Sequence, residues 1–214
     1  MTSFFNHYCV SMNLKKLFCT LTVATLTAAA AFAQSQYVFT TKSSVNLRKA
    51  ASTASAKAGT LTKGEMLPLV EEADGWYKVD VNGAPAFVSQ SVASVCDANV
   101  PAEMFGKTLG SSEPWDKIRF EGSITITPVG KDHAVINMEW MRVNLPAESW
   151  NYMATVKDGK VVATHNLGMS WIDPDQPYET LMEEAEPLDT PLPVGFDEFN
   201  NTLYFNGAVF SEFE

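Results

Sequence analysis

Cys96, His133 and His165 are the residues downstream of Ala33 best suited to nucleophilic or metal-dependent chemistry. A cysteine becomes a nucleophile when a helix N-terminus or an imidazole lowers its thiol pKa. Val95-Cys96-Asp97-Ala98 offers neither, so Cys96 reads as a small residue at a strand end. Each histidine falls in a strand-like run without a second ligand at a coordinating interval, and no HExxH is present. Both therefore read as exposed or hydrogen-bonded strand histidines. Carboxylates are dense at Asp173, Asp175, Glu179, Glu183, Glu184, Glu186 and Asp189. Glycoside hydrolysis or Ca²⁺ binding needs such oxygens on a rigid frame, and no D-x-D-x-D-G loop frames these, which makes them a solvated acidic face. No G-x-S-x-G elbow supports a serine hydrolase. The expectation is a protein that is not an enzyme and carries no cofactor or metal.

Binding chemistry is better represented. Trp76 and Tyr77 are adjacent on one expected strand, so one ring fills the interior and the other is available outside. Trp140, Trp150, Trp171, Tyr152 and Tyr178 lie near loops or strand ends further on. Aromatic faces combine large apolar area with little entropy to lose, which suits sugar rings or partner proteins, and core packing competes for the same residues. Arg48 can pair with a ligand carboxylate or with a neighbouring Glu, and the sequence leaves both open.

These residues must be held by β structure in an exported chain. Leu17 to Ala33 is an apolar, small-residue run preceded by Lys15-Lys16 and closed by Ala31-Phe32-Ala33, the pattern of a secretory signal peptide. Met12 is its expected start, and cleavage after Ala33 leaves Cys96 as the lone cysteine, with no internal disulfide. The chain has 214 residues, 46% apolar and 19% charged, with a formal charge of −10. An acidic surface without a Lys/Arg cluster is mismatched to nucleic acid and to an anionic membrane. No membrane insertion is expected once the signal is gone.

Short apolar runs separated by turn residues mark strands at Tyr37–Thr40, Val45–Arg48, Ala58–Leu61, Met66–Glu72, Trp76–Val81 and Pro85–Val88. Asn82-Gly83 accepts the positive φ of a type I′ turn and folds the Trp76 strand back on the Phe87 strand. Asp74-Gly75 marks another tight turn. Six short strands in so little chain suit a small closed barrel.

The run Val45-Asn46-Leu47-Arg48 with its Ser/Thr/Ala loop, Gly59 with Leu61, Lys63-Gly64-Glu65, Gly75-Trp76-Tyr77-Lys78-Val79 and Phe87-Val88-Ser89 resembles the bacterial SH3-like domain of exported cell-envelope proteins. Ala50-Ala51 stands where that pattern has Gly-Pro, and Pro85-Ala86 where it has Gly. The resemblance implies an SH3-like barrel that docks on peptidoglycan or an envelope protein, in a groove beside Asn46, Arg48 and the Ser52–Ala56 loop, with Trp76 or Tyr77 contributing. Proteins with such domains also include cysteine peptidases, whose Asp-Cys-Ser-Gly nucleophile motif has no counterpart around Cys96.

The second half is expected to be β as well. Ile118–Thr127 alternates as a half-buried strand, with Ile118, Phe120, Ile124 and Ile126 on one face. His133–Asn144, Tyr152–Lys157 and Val161–Asn166 follow, the last two joined by Asp158-Gly159. Asp173 to Pro193 is an acidic, proline-punctuated excursion with a short helix at Tyr178–Ala185, and Thr202–Phe210 returns to β. The fold class is thus mostly β: a signal peptide at 1–33, an SH3-like barrel at 36–95, a linker at 96–105, and a second antiparallel β-rich domain with a short helix at 106–214. The functional expectation is an exported binding protein of periplasm or cell surface whose partner is peptidoglycan or an envelope protein. The alternatives are an envelope adaptor, a cell-wall hydrolase with its site in the second domain, and a barrel that holds a hydrophobic ligand.

Overall fold

A computed structural model of the protein describes residues 33–111, 113–114, 116–170 and 172–212. The expected signal peptide before Ala33, with Cys9, Cys19 and Met12, and also Trp171, lie outside the described residues. The first unit contains β1 (Gln36–Phe39), β2 (Ser44–Arg48), β3 (Lys57–Thr62), β4 (Leu67–Ala73), β5 (Trp76–Val81), β6 (Ala84–Ser89) and β7 (Ser94–Asp97). They pair antiparallel in the order β7-β1-β4-β5-β6-β2-β3. Period-two alternation buries Val45 and Leu47 of β2, Val79 of β5 and Ala86 and Val88 of β6 against Val38 and Leu61. Asn82 and Gly83 take φ of 54° and 85°, and Asp74 and Gly75 take 51° and 80°, so the expected hairpin forms and the expected tight turn closes a second one, β4–β5.

The second unit is a meander: β8 (Thr108–Ser111), β9 (Arg119–Val129), β10 (His133–Arg142), β11 (Leu145–Lys157), β12 (Lys160–Gly168), a short helix α1 (Tyr178–Leu181), then β13 (Glu186–Pro193), β14 (Gly195–Asp197), β15 (Thr202–Phe205) and β16 (Ala208–Ser211). Each strand from β8 to β13 pairs with the next, β14 to β16 do the same, and Ser211 of β16 pairs with Gly110 of β8. Val194, between β13 and β14, donates its N–H to Val161 of β12 at 2.9 Å, while Gly195 pairs with Tyr204. β13 and β14 thus act as one strand that changes partner midway, and the ring closes as an up-and-down barrel. Its interior is packed with Ile136, Met138, Trp140, Tyr152, Phe196, Phe205 and Phe210 among others.

Four features depart from the sequence reading. The acidic excursion ends in β13, a strand with three prolines. The run Thr202–Phe210 is a hairpin, because Asn206 and Gly207 take φ of 48° and 77°. Ile118 and Phe120 are exposed rather than on the buried face: a bulge sets Arg142 opposite Arg119 one step after Met141 pairs Glu121, and Phe120 becomes the extra residue. The segment read as a linker, 96–105, begins inside β7 and is part of both cores. Val100 donates to Gly159 at 2.9 Å, and Val100 and Met104 are buried against the barrel interior.

The two units share one antiparallel ladder through Phe196 and Asp97. Tyr37, Phe39, Cys96 and Ala98 pack with Tyr204, Met66 and Val209 between them, and the Phe39 and Tyr204 rings lie 4.3 Å apart. Lys63 pairs with Glu113 at 2.8 Å at the edge of this contact. No helix among the described residues is long and apolar enough to cross a membrane.

Candidate functional site

Because Val45 and Leu47 point inward, Asn46 and Arg48 share the outer face of β2. Arg48 pairs in register with Phe87 of β6, and Phe87 with Lys78 of β5. Lys78 and Trp76 are two residues apart on β5, hence on the same face, with Trp76 opposite Ser89. The structure therefore assembles Asn46, Arg48, Phe87, Lys78 and Trp76 into one half-exposed strip across three strands. Tyr77 is not part of it. It sits opposite Val88 and packs against the barrel core, and burial, with Glu72 nearby, holds its phenol above the ordinary range. Of the two adjacent rings, tryptophan is the outward one.

Arg48 also shapes the neighbouring loop. Its Nη1 donates to the Ser55 carbonyl at 2.9 Å, while Lys49 donates to Ala56 at 3.0 Å and Ala54 to the Ser52 hydroxyl at 3.2 Å. No carboxylate among the described residues forms an ion pair with Arg48, and the one side-chain hydrogen bond described for it is the one to Ser55. Lys78 has a longer, exposed contact with Glu71 at 3.5 Å. Phe87 and Lys78 escaped the sequence reading, although counting outward from the Asn82-Gly83 turn pairs Lys78 with Phe87.

The other candidates are occupied structurally. Trp140 is buried inside the second barrel, Trp150 lies under the Arg119 guanidinium at 4.8 Å, and Tyr152 accepts from Asn206 at 3.1 Å. Tyr178 stacks on His133 at 4.2 Å. His165 shares a hydrogen bond with Thr164 at 3.0 Å, and burial lowers its pKa. Among the described residues no group of His, Cys, Asp or Glu is arranged to hold a metal ion.

Cys96 lies in the contact between the units, its Sγ 3.7 Å from the Met66 sulfur. Burial pushes the thiol up to about 12, and Asp197 and Asp97 add to this. Burial likewise pushes Tyr37 up to about 12 and raises Tyr204. Native protein is expected to resist a maleimide at neutral pH and to label fully in denaturant; fast native labelling would contradict this burial. These raised values also give a sign for alkaline stability. The folded state favours the protonated groups, so their contribution is intact below the unfolded thiol's range and is lost as pH rises toward about 12.

Residues 43–94 match the family model described as the bacterial SH3 domain. No curated protein and no solved structure matches the chain.

Proposed function

We propose that this bacterial SH3 domain belongs to an exported, non-enzymatic envelope protein and docks on peptidoglycan through its peptide stems. Bacterial SH3 domains are commonly cell-wall binding modules, and one occupies residues 43–94. The observation that carries the reading is the register that sets Arg48, Phe87 and Lys78 side by side with Trp76 on the same face. A guanidinium with free N–H groups and an ammonium offer charge-assisted hydrogen bonds to stem carboxylates. Trp76 and Phe87 offer flat apolar area to a sugar face or a stem side chain.

The test is co-sedimentation of the protein with purified sacculi. Arg48→Ala combined with Trp76→Ala is expected to weaken binding roughly tenfold or more, since each such contact contributes about 1–2 kcal/mol. Tyr77→Phe, which keeps the core filled, is expected to bind as the parent does. Undiminished sedimentation of the double variant, with its circular dichroism intact, would remove this face from consideration.

A further inference from the structure

Five of the seven exposed large apolar residues described in the second unit gather at one end, Met169 and Phe199 lying apart from them. Ile118, Phe120, Met141, Val143 and Leu145 are between 36% and 55% exposed. Val143 donates its N–H to Ile118 at 3.1 Å, Leu145 pairs with Arg142, and Met141 pairs with Glu121, which places all five where β9 begins and β10 turns into β11. Single exposed apolar side chains are ordinary, whereas five neighbours mark a contact surface. The arginines between them add no free positive charge, because Arg119 pairs with Asp116 and Glu148, and Arg142 with Glu148.

A trough of about 1020 Å³ continues from this tip along the outer face of β8, β9 and β10. Gly110 and Ser123 contribute to its lining, with Met141, Glu121 and Glu139 from the strands and Asn200 and Asn201 from the β14–β15 turn. Glu139 pairs with Ser123 and Glu121 with Met141, so the two glutamates are diagonal neighbours on one face, with Cβ atoms roughly 7 Å apart in ordinary sheet geometry. Neither carboxylate makes a hydrogen bond or ion pair with any described residue.

We propose that the tip and trough are the docking surface for an extended, basic and apolar segment of another protein. Its apolar side chains cover Phe120, Met141 and Leu145, and its Lys or Arg sits between Glu121 and Glu139. Charge selects this occupant. An anionic bilayer is repelled by a chain of formal charge −10, and a second copy would set the same two carboxylates against themselves. The surface shares no residue with the strip on the SH3 domain, so the two readings fail independently.

The experiment is fluorescence anisotropy of a short labelled peptide alternating Lys with Leu, titrated with the full chain. A Glu/Leu peptide and phosphatidylglycerol vesicles are the comparison probes. The Lys/Leu peptide is expected to bind, more weakly as salt rises. Glu121→Gln with Glu139→Gln, and separately Met141→Ser with Leu145→Ser, are each expected to weaken it roughly tenfold without moving the thermal midpoint, all four residues lying on the surface. The proposal is overturned if the variants bind the Lys/Leu peptide as the parent does, if the Glu/Leu peptide binds equally well, or if the vesicles bind and the peptide does not.

Discussion

Gly64→Ala is expected to destabilise the protein several times more than Gly75→Ala, although the two glycines share almost the same left-handed φ, 85° and 80°. The Gly75 turn is open, with nothing within 4 Å of an added Cβ, so alanine there meets only the conformational cost of about 1–2 kcal/mol. At Gly64 the same methyl would fall well inside contact with the Gly207 carbonyl group. That neighbour is backbone and cannot rotate away. Relief requires the β3–β4 turn to lift off the second barrel, which exposes part of the layer built from Tyr37, Phe39, Met66 and Tyr204. Overpacking with lost burial gives an expected total on the order of 3–5 kcal/mol by urea denaturation. Equal losses at the two sites would mean that the turn-to-turn contact between the units does not form.

Much of the first unit was legible because its signals are local. Asn82-Gly83 and Asp74-Gly75 each fix a hairpin, and alternation then sorts Val45 and Leu47 from Asn46 and Arg48. The second unit hid where the signal is either non-local or masked. Closure depends on Ser211 meeting Gly110 and Val194 meeting Val161, pairings that no window of sequence contains. β13 was obscured by Pro187, Pro191 and Pro193. It survives as a strand because, among the described residues, β12 alone pairs with it, so a missing N–H matters on one side alone. Asn206-Gly207 carries the same turn chemistry as Asn82-Gly83, but β15 is buried along its whole length, so consecutive Leu203, Tyr204 and Phe205 lack the alternation that marks a hairpin arm.

The candidate surfaces show the same division. Trp76 and Tyr77 had to face opposite ways, yet which one faced out depended on Tyr77 lying opposite Val88, a pairing that the Asn-Gly turn implies. Ile118 and Phe120 looked like the buried face of a regular strand. The bulge beside Arg142 reverses that parity, turning Arg119 toward Trp150 and Phe120 toward solvent. A bulge is specified by both strands together, so reading β9 alone could not reveal the apolar tip.

The bulge also makes Glu148→Ala a costly change. Glu148 accepts from Arg119 Nε at 2.8 Å and Nη2 at 2.6 Å, and its other oxygen pairs with Arg142. Arg119 and Arg142 are direct cross-strand partners, held together at the barrel mouth with one shared carboxylate between them. Removing it leaves two largely covered guanidinium groups facing each other, with Asp116 still bound to Arg119 alone. A fully buried pair broken this way costs about 3–5 kcal/mol, and partial exposure at this mouth brings the expectation to about 2–3 kcal/mol. Arg142→Ala added to Glu148→Ala is expected to recover part of the loss by relieving the repulsion, so the two changes should be non-additive in chemical denaturation. Raising salt should narrow the gap between Glu148→Ala and the parent, because screening weakens the repulsion but leaves the packing of Trp150 unchanged. Additive losses, insensitive to salt, would show that the carboxylate fills space without neutralising the mouth. The apolar tip would then owe its position to packing alone.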